Sequence, residues 1–166
     1  MPSSVLRSLF AQKVFANDAL LTKLDGWADA HPSEHLACLR LLNHALLVDQ
    51  VFKAHLTGAS PAVATVSAPE QPTLEALRSE VAAIDRWYED YVASLPGASL
   101  DEVVAFTFTD GDRGSMTRDE ILHHVVLHST YHRGNVGQIL RSLGMAPSRD
   151  TLTSFLHMRE PERRAV

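Results

Sequence analysis

Four long segments in which apolar residues recur every three or four positions constrain the fold of this chain most strongly. This spacing places the apolar side chains on one face of an α-helix. The first segment starts near Ser3 or Ser4 and breaks at about Pro32. The second follows Pro32, with Ser33 as its expected N-cap, and ends at Gly58, a residue type that commonly terminates helices. Each segment therefore predicts one amphipathic helix.

The connection after the second helix is long. Residues 59–72 contain three prolines among alanine, serine and threonine, a composition typical of an extended loop. The third helix is predicted to begin at Thr73 and to stop at Pro96-Gly97. We therefore interpret residues 59–72 as a crossover within one domain and not as a boundary between domains.

The fourth helix has the clearest boundaries. Thr117 followed three residues later by Glu120 matches a capping box, in which the two side chains bond to backbone amides at the start of a helix. The helix is predicted to run to about Leu143 and to stop at Gly144. Before it, apolar and polar residues alternate within residues 100–116, which predicts a short strand or hairpin.

The end of the chain adds one short element. Leu152, Phe155 and Leu156 predict a short C-terminal helix, and the charged residues 157–166 are expected to be frayed. The whole pattern predicts an all-α fold: an up-down-down-up four-helix bundle with a long crossover loop, a short hairpin before helix four and a short C-terminal helix. We expect one domain over residues 1–166.

Charge and cysteine content exclude several classes of function. The chain has 15 Lys and Arg residues against 20 Asp and Glu residues, and its net charge of −5 opposes nucleic acid as a partner. Its one cysteine, Cys38, excludes an internal disulfide and a thiolate metal cluster. No apolar run reaches membrane-spanning length and no targeting segment is readable, so we expect a cytoplasmic protein without a membrane partner.

The nine histidines are the main chemical resource of the sequence. His124, His128 and His132 recur every four residues along the fourth helix, so neighbours lie about 6 Å apart on one face. The outer two are about 12 Å apart along the axis, too far for both to reach one ion. A metal-binding pair is therefore either His124 with His128 or His128 with His132.

A third ligand is expected from a facing helix. His44 lies in the middle of the second helix on its apolar stripe, where a histidine needs a polar partner or a metal ion. The other histidines near helix ends or in the tail are interpreted as surface or capping residues: His31, His35, His55 and His157. Spacing thus predicts a three-histidine site, while a hydrogen-bonded core histidine remains the alternative for His44.

At these residues the chain resembles the DinB/YfiT-like superfamily of metal-binding four-helix bundles. Three motifs carry the resemblance: Phe15-Ala16-Asn17, residues 42–52 with Leu56-Thr57-Gly58, and His124-x-x-x-His128-x-x-x-His132-Arg133-Gly134. It spans about residues 8–156 and departs from the family where Asn135 replaces a frequent glutamine.

The resemblance implies a ligand set. It implies that His44, His128 and His132 bind the metal and that His124 has a supporting or packing role. Further candidate neighbours of the site are Tyr131 through its hydroxyl and Arg133 through its charge. Asp49 or Asp85 could orient a ligand through its free imidazole nitrogen, and the sequence does not choose between these two carboxylates.

Three neutral imidazoles leave open positions on a divalent ion, as in catalytic sites. Zinc or nickel suits nitrogen ligands best, and iron or manganese is also compatible with them. The superfamily that the chain resembles includes thiol transferases, mycothiol-dependent isomerases and metal-dependent hydrolases. The resemblance also implies a homodimer.

The first hypothesis is therefore a metal-dependent transferase or hydrolase that activates water or a low-molecular-weight thiol for a small-molecule substrate. The alternative is a non-catalytic dimeric helical bundle with a structural or empty histidine site.

Overall fold

A computed structural model describes residues 4–61, 65–67, 70–108 and 110–164 of the chain. It contains five helices and one hairpin, namely α1 (Ser4–Lys23), α2 (Pro32–Thr57), α3 (Leu74–Ser94), β1 (Val103–Thr107), β2 (Arg113–Thr117), α4 (Arg118–Ser142) and α5 (Leu152–Arg159). Short 3-10 turns cover Gly97–Asp101 and Pro161–Arg164. Ser3, one of the two predicted starts of the first helix, and residues 165–166 of the predicted tail lie outside the described residues.

Side-chain and glycine signals set most helix ends. The hydroxyl of Thr117 accepts from the Glu120 amide at 3.2 Å, and the Glu120 carboxylate accepts from the Thr117 amide at 2.7 Å, so the predicted capping box is confirmed. Gly58 ends α2 in the left-handed region, with φ +71°. The predicted N-cap of α2 is wrong, because Pro32 occupies the first helical position and His31 precedes it as the cap.

The four long helices pack as a mostly helical bundle. Helix α1 contacts α3 and α4, and α2 contacts the same two helices. Apolar residues from all four fill the interior, including the fully buried Phe10, Leu77, Ile121 and Val125. No helix in the described ranges has both the length and the apolar character needed to cross a membrane.

The hairpin predicted before α4 is confirmed. Strands β1 and β2 pair antiparallel, from Val103 opposite Thr117 to Thr107 opposite Arg113. The ring of Phe106 is buried and meets the ring of Phe52 on α2 edge to face, with 5.8 Å between centroids. Through this contact the hairpin covers the end of the bundle where α2 finishes and α4 begins.

Helix α5 packs against α1 through Phe155, whose ring centroid lies 5.6 Å from that of Phe15. Thr151 caps the helix by accepting from the Ser154 amide at 3.2 Å. Beyond α5, Arg163 pairs with Glu160 at 2.5 Å in the final turn. Residues 157–164 thus form the end of a helix and a turn.

A layer of buried charge lies inside the bundle. The ammonium group of Lys13 on α1 contacts Asp49 of α2 at 2.8 Å and also pairs with Asp85 of α3, and all three side chains are at most 3% exposed. Asn17 donates to the second oxygen of Asp85 at 2.8 Å. Burial raises the pKa of Asp49 to about 6 against the opposing effect of Lys13. One carboxylate oxygen of Asp49 is buried and has no hydrogen-bond partner among the residues that the structure describes.

Candidate metal centre

Three histidine side chains converge between α2 and α4. The nearest nitrogens of His44, His128 and His132 all lie within 4.8 Å of one another. The ring centroid of His44 is 5.2 Å from that of His128 and 4.8 Å from that of His132. All three are partly buried, so the cluster is fixed by packing and remains reachable from solvent.

Hydrogen bonds orient the three rings. The Nε2 atoms of His128 and His132 are 3.1 Å apart. The Nδ1 atom of His44 donates to the backbone carbonyl of Val66 in the crossover at 2.8 Å, which leaves its Nε2 available for an ion. Sequence reasoning missed this partner, because a backbone carbonyl has no residue-type signature.

Burial favours the uncharged form of the two α4 histidines in the cluster. It lowers the pKa of His128 to about 4, and the neighbouring imidazoles His132, His124 and His44 lower it further in the same direction. Burial, with His44 beside it, also lowers the pKa of His132. The neutral imidazole is the form that binds a metal ion, so protons compete weakly for His128 and His132 at pH 7.

The donor set fits a divalent metal. Two nitrogens bound tetrahedrally to one zinc ion at about 2.0–2.1 Å are about 3.3 Å apart, which is close to the 3.1 Å between His128 and His132. In the described part of the chain, the Nδ1 atoms of these two residues are buried and have no hydrogen-bond partner. Both rings therefore direct Nε2, and not Nδ1, toward the shared point.

His124 lies beside the cluster and does not join it. Its ring stacks on that of His128 at 5.4 Å and 23°, and it contacts the ring of Phe52 at 4.9 Å. Of the two helix-four pairs that spacing allows, the structure brings His128 and His132 together with His44. That these three residues bind a metal ion stays a prediction.

Tyr131 and Arg133, the other predicted neighbours of the site on α4, differ in exposure and in their contacts. Tyr131 is 67% exposed, and its ring meets His132 edge to face at 5.3 Å. Arg133 is 3% exposed. All of its N–H groups are engaged, by Asp150, Asn17, Ser129 and Thr130. Arg133 thus stabilises the packing of α4 on α1, and its N–H groups are not free for a ligand.

Neither candidate carboxylate bonds to a histidine in the described residues. Asp49 and Asp85 are both taken up by Lys13 in the buried layer. The prediction that one of them orients a ligand is therefore wrong for His44, whose ring is held by the Val66 carbonyl. The sequence signal for this layer was the lysine itself, which lies on the apolar face of the first helix.

Among the remaining histidines, His35 differs from its predicted surface position. It is 9% exposed, its Nε2 donates to the Leu24 carbonyl at 3.1 Å, and its ring meets Trp27 at 5.0 Å. His55 stacks on Phe106 at 5.0 Å. These contacts place both residues in the packing of the bundle and outside the candidate site.

Comparison with known proteins identifies the family of this chain. The family model described as the DinB family matches residues 19–164, which is most of the chain. No curated protein matches the chain, and no solved structure matches it. The family match agrees with the three-histidine cluster, and both are compatible with metal binding. The chain belongs to the DinB family.

Proposed function

We propose that His44, His128 and His132 bind one divalent metal ion. The observation that carries the proposal is the convergence of three imidazole nitrogens, within 4.8 Å of one another, from two packed helices. Zinc or nickel suits this set best, and iron or manganese is compatible with it. Three protein ligands are the number typical of catalytic zinc sites, whereas structural sites use four.

We further propose a metal-dependent transferase or hydrolase that acts on a small molecule. When bound, such an ion supplies Lewis acidity that activates water or a thiol. The chain's own residues orient the ligands. The Val66 carbonyl fixes the ring of His44, and Phe52 and His124 pack beside the cluster on the hairpin side. Cys38 is fully buried and burial raises its pKa to about 11, so a reacting thiol must come from a cosubstrate.

Metal analysis of protein purified without a polyhistidine tag tests the ligand set. We expect one ion per wild-type chain and loss of that ion in His44→Ala and in His128→Ala. His123→Ala is the matched control, since His123 lies on the same helix and its ring bonds to the Asp119 carbonyl outside the cluster. Unchanged stoichiometry in both ligand variants would sink the assignment.

A second candidate function is a non-catalytic dimer, favoured by two exposed apolar side chains on α4. Leu127 is 68% exposed and Tyr131 is 67% exposed. Cobalt-substituted protein separates the candidates, because a small thiol changes the visible spectrum only where the ion has an open position. Sedimentation of Leu127→Lys measures whether this face holds two copies together.

The up-down-down-up order of the bundle is also part of the proposal. It is supported by the antiparallel packing of α1 and α3. Phe10 in the first half of α1 stacks on Tyr88 in the second half of α3, and Arg78 near the start of α3 donates to the Leu21 carbonyl near the end of α1. Nuclear Overhauser contacts between Phe10 and Tyr88 test it.

A further inference from the structure

A cavity of about 600 Å³ lies between α1, α4 and the segment leading into α5. On α4 it is lined by Thr130, Gly134, Gly137 and Arg141, which helical spacing places on the face opposite His128. A second cavity of about 390 Å³ adjoins it and shares Ser148, Arg149 and Ser154 with it. The two cavities form a groove separate from the candidate metal centre, which we call the α4–α5 groove.

Positive charge is concentrated in this groove. Lys23, Arg141, Arg149 and Arg164 line it. Within the described ranges, none of these four has a carboxylate within 4 Å. The only acidic residue described in the lining is Asp150, which pairs with Arg133 at 2.6 Å. An excess of cations in one groove is notable because the chain as a whole carries a net charge of −5.

The walls offer both polar and apolar contacts. The hydroxyl oxygen of Ser148 is buried and has no hydrogen-bond partner in the described structure. Gly134 leaves the floor bare, since a Cβ placed there would meet nothing within 4 Å. In the smaller cavity, Phe15 and the half-exposed Met158 provide an apolar surface beside Lys23 and Arg164.

We infer that the α4–α5 groove binds a small organic phosphate. Arginine side chains match the geometry and charge of a phosphate group, and Arg141, Arg149 and the Ser148 hydroxyl supply donors in the larger cavity. The carbon portion of the ligand lies against Phe15 and Met158. The volume of the larger cavity falls within the range of about 300–1,000 Å³ typical of small-molecule sites. This site is independent of the proposed metal centre.

Calorimetric titration of metal-free protein with phenyl phosphate tests the inference. We expect saturable binding that weakens as salt increases, and at least about tenfold weaker binding in the Arg141→Gln/Arg149→Gln double variant. Arg113→Gln, at an exposed arginine on β2, is the matched control and should bind as the wild type does. Inorganic phosphate should bind more weakly than phenyl phosphate, and benzyl alcohol, which lacks the charge, should not bind.

Gly134→Leu tests the location of the site without removing charge. The added side chain fills the floor of the cavity, so binding should be lost while the thermal unfolding temperature is kept or raised. His44→Ala should bind phenyl phosphate as the wild type does, which separates this site from the metal centre. The inference is overturned if the wild type shows no saturable binding. It is also overturned if the double variant or Gly134→Leu binds phenyl phosphate as tightly as the wild type does.

Discussion

Replacing Asp49 by asparagine should stabilise this protein at neutral pH, although Asp49 is one half of a buried ion pair. Burial raises the pKa of Asp49 to about 6 even with Lys13 at 2.8 Å, so ionising this carboxyl costs more in the folded chain than in the unfolded chain. Between its ordinary pKa of 3.8 and about 6, the folded state binds more protons than the unfolded state. The contribution of Asp49 to stability therefore falls as the pH rises through this window.

The magnitude follows from the shift. Each pKa unit is worth about 1.36 kcal/mol, so the raised pKa of Asp49 lowers the free energy of unfolding by about 3 kcal/mol at about pH 7.5, relative to a carboxyl that stays protonated in both states. At about pH 4.5, where the folded carboxyl is still protonated and the unfolded one is mostly ionised, the loss is about 1 kcal/mol. Asparagine keeps the shape without the charge. Its carbonyl can accept from Lys13, its amide takes the position of the unpartnered carboxylate oxygen, and Lys13 keeps Asp85.

Urea unfolding of metal-free wild type and Asp49→Asn at these two pH values measures the effect. The variant should be more stable at both, and its advantage should grow by about 2 kcal/mol from the lower pH to the higher. Asp101→Asn makes the same chemical change at an exposed position and is the control. The reasoning is refuted if Asp49→Asn is less stable than wild type at about pH 7.5, or if its advantage is the same at both pH values.

Three further predictions concern the metal centre and the helix ends. Zinc at about 100 times its dissociation constant should raise the free energy of unfolding of wild type by about 2.7 kcal/mol and leave that of His44→Ala unchanged, as thermal melts with and without zinc will show. Thr117→Ala should cost about 1 kcal/mol in urea unfolding because the capping box of α4 is lost, and a cost below the error would contradict that role. Gly58→Ala should cost about 1 kcal/mol because φ is +71° there, whereas Gly134→Ala, inside α4, should stabilise the protein in the same assay.

Structural features that depend on residues close together in the chain could be predicted from the sequence. The capping box at Thr117 and Glu120, the stop at Gly58 and the alternation of β1 depend on neighbours along the chain. The N-cap of α2 lies two residues before the predicted Ser33, at His31. Proline suits the first position of a helix, so α2 begins at Pro32 and already includes Ser33.

Contacts between distant residues could not be predicted in the same way. His35 is buried because its ring reaches the carbonyl of Leu24, eleven positions earlier in the chain. Spacing along α4 left two histidine pairs open, because only the packing of α2 against α4 decides which pair faces His44. The α4–α5 groove has no sequence signal for the same reason, since its four cations come from four separate segments of the chain.

The hydrogen bond from His44 to Val66 sets different rules for sequence change at its two ends. On the histidine side, the residue type is fixed by the ring. On the crossover side, the acceptor is a peptide carbonyl, so any residue at position 66 supplies the same oxygen. Substitutions of Val66 should therefore keep this hydrogen bond, although they remove a side chain that packs against the core. Insertions or deletions that shift this peptide relative to α2 should release the ring of His44.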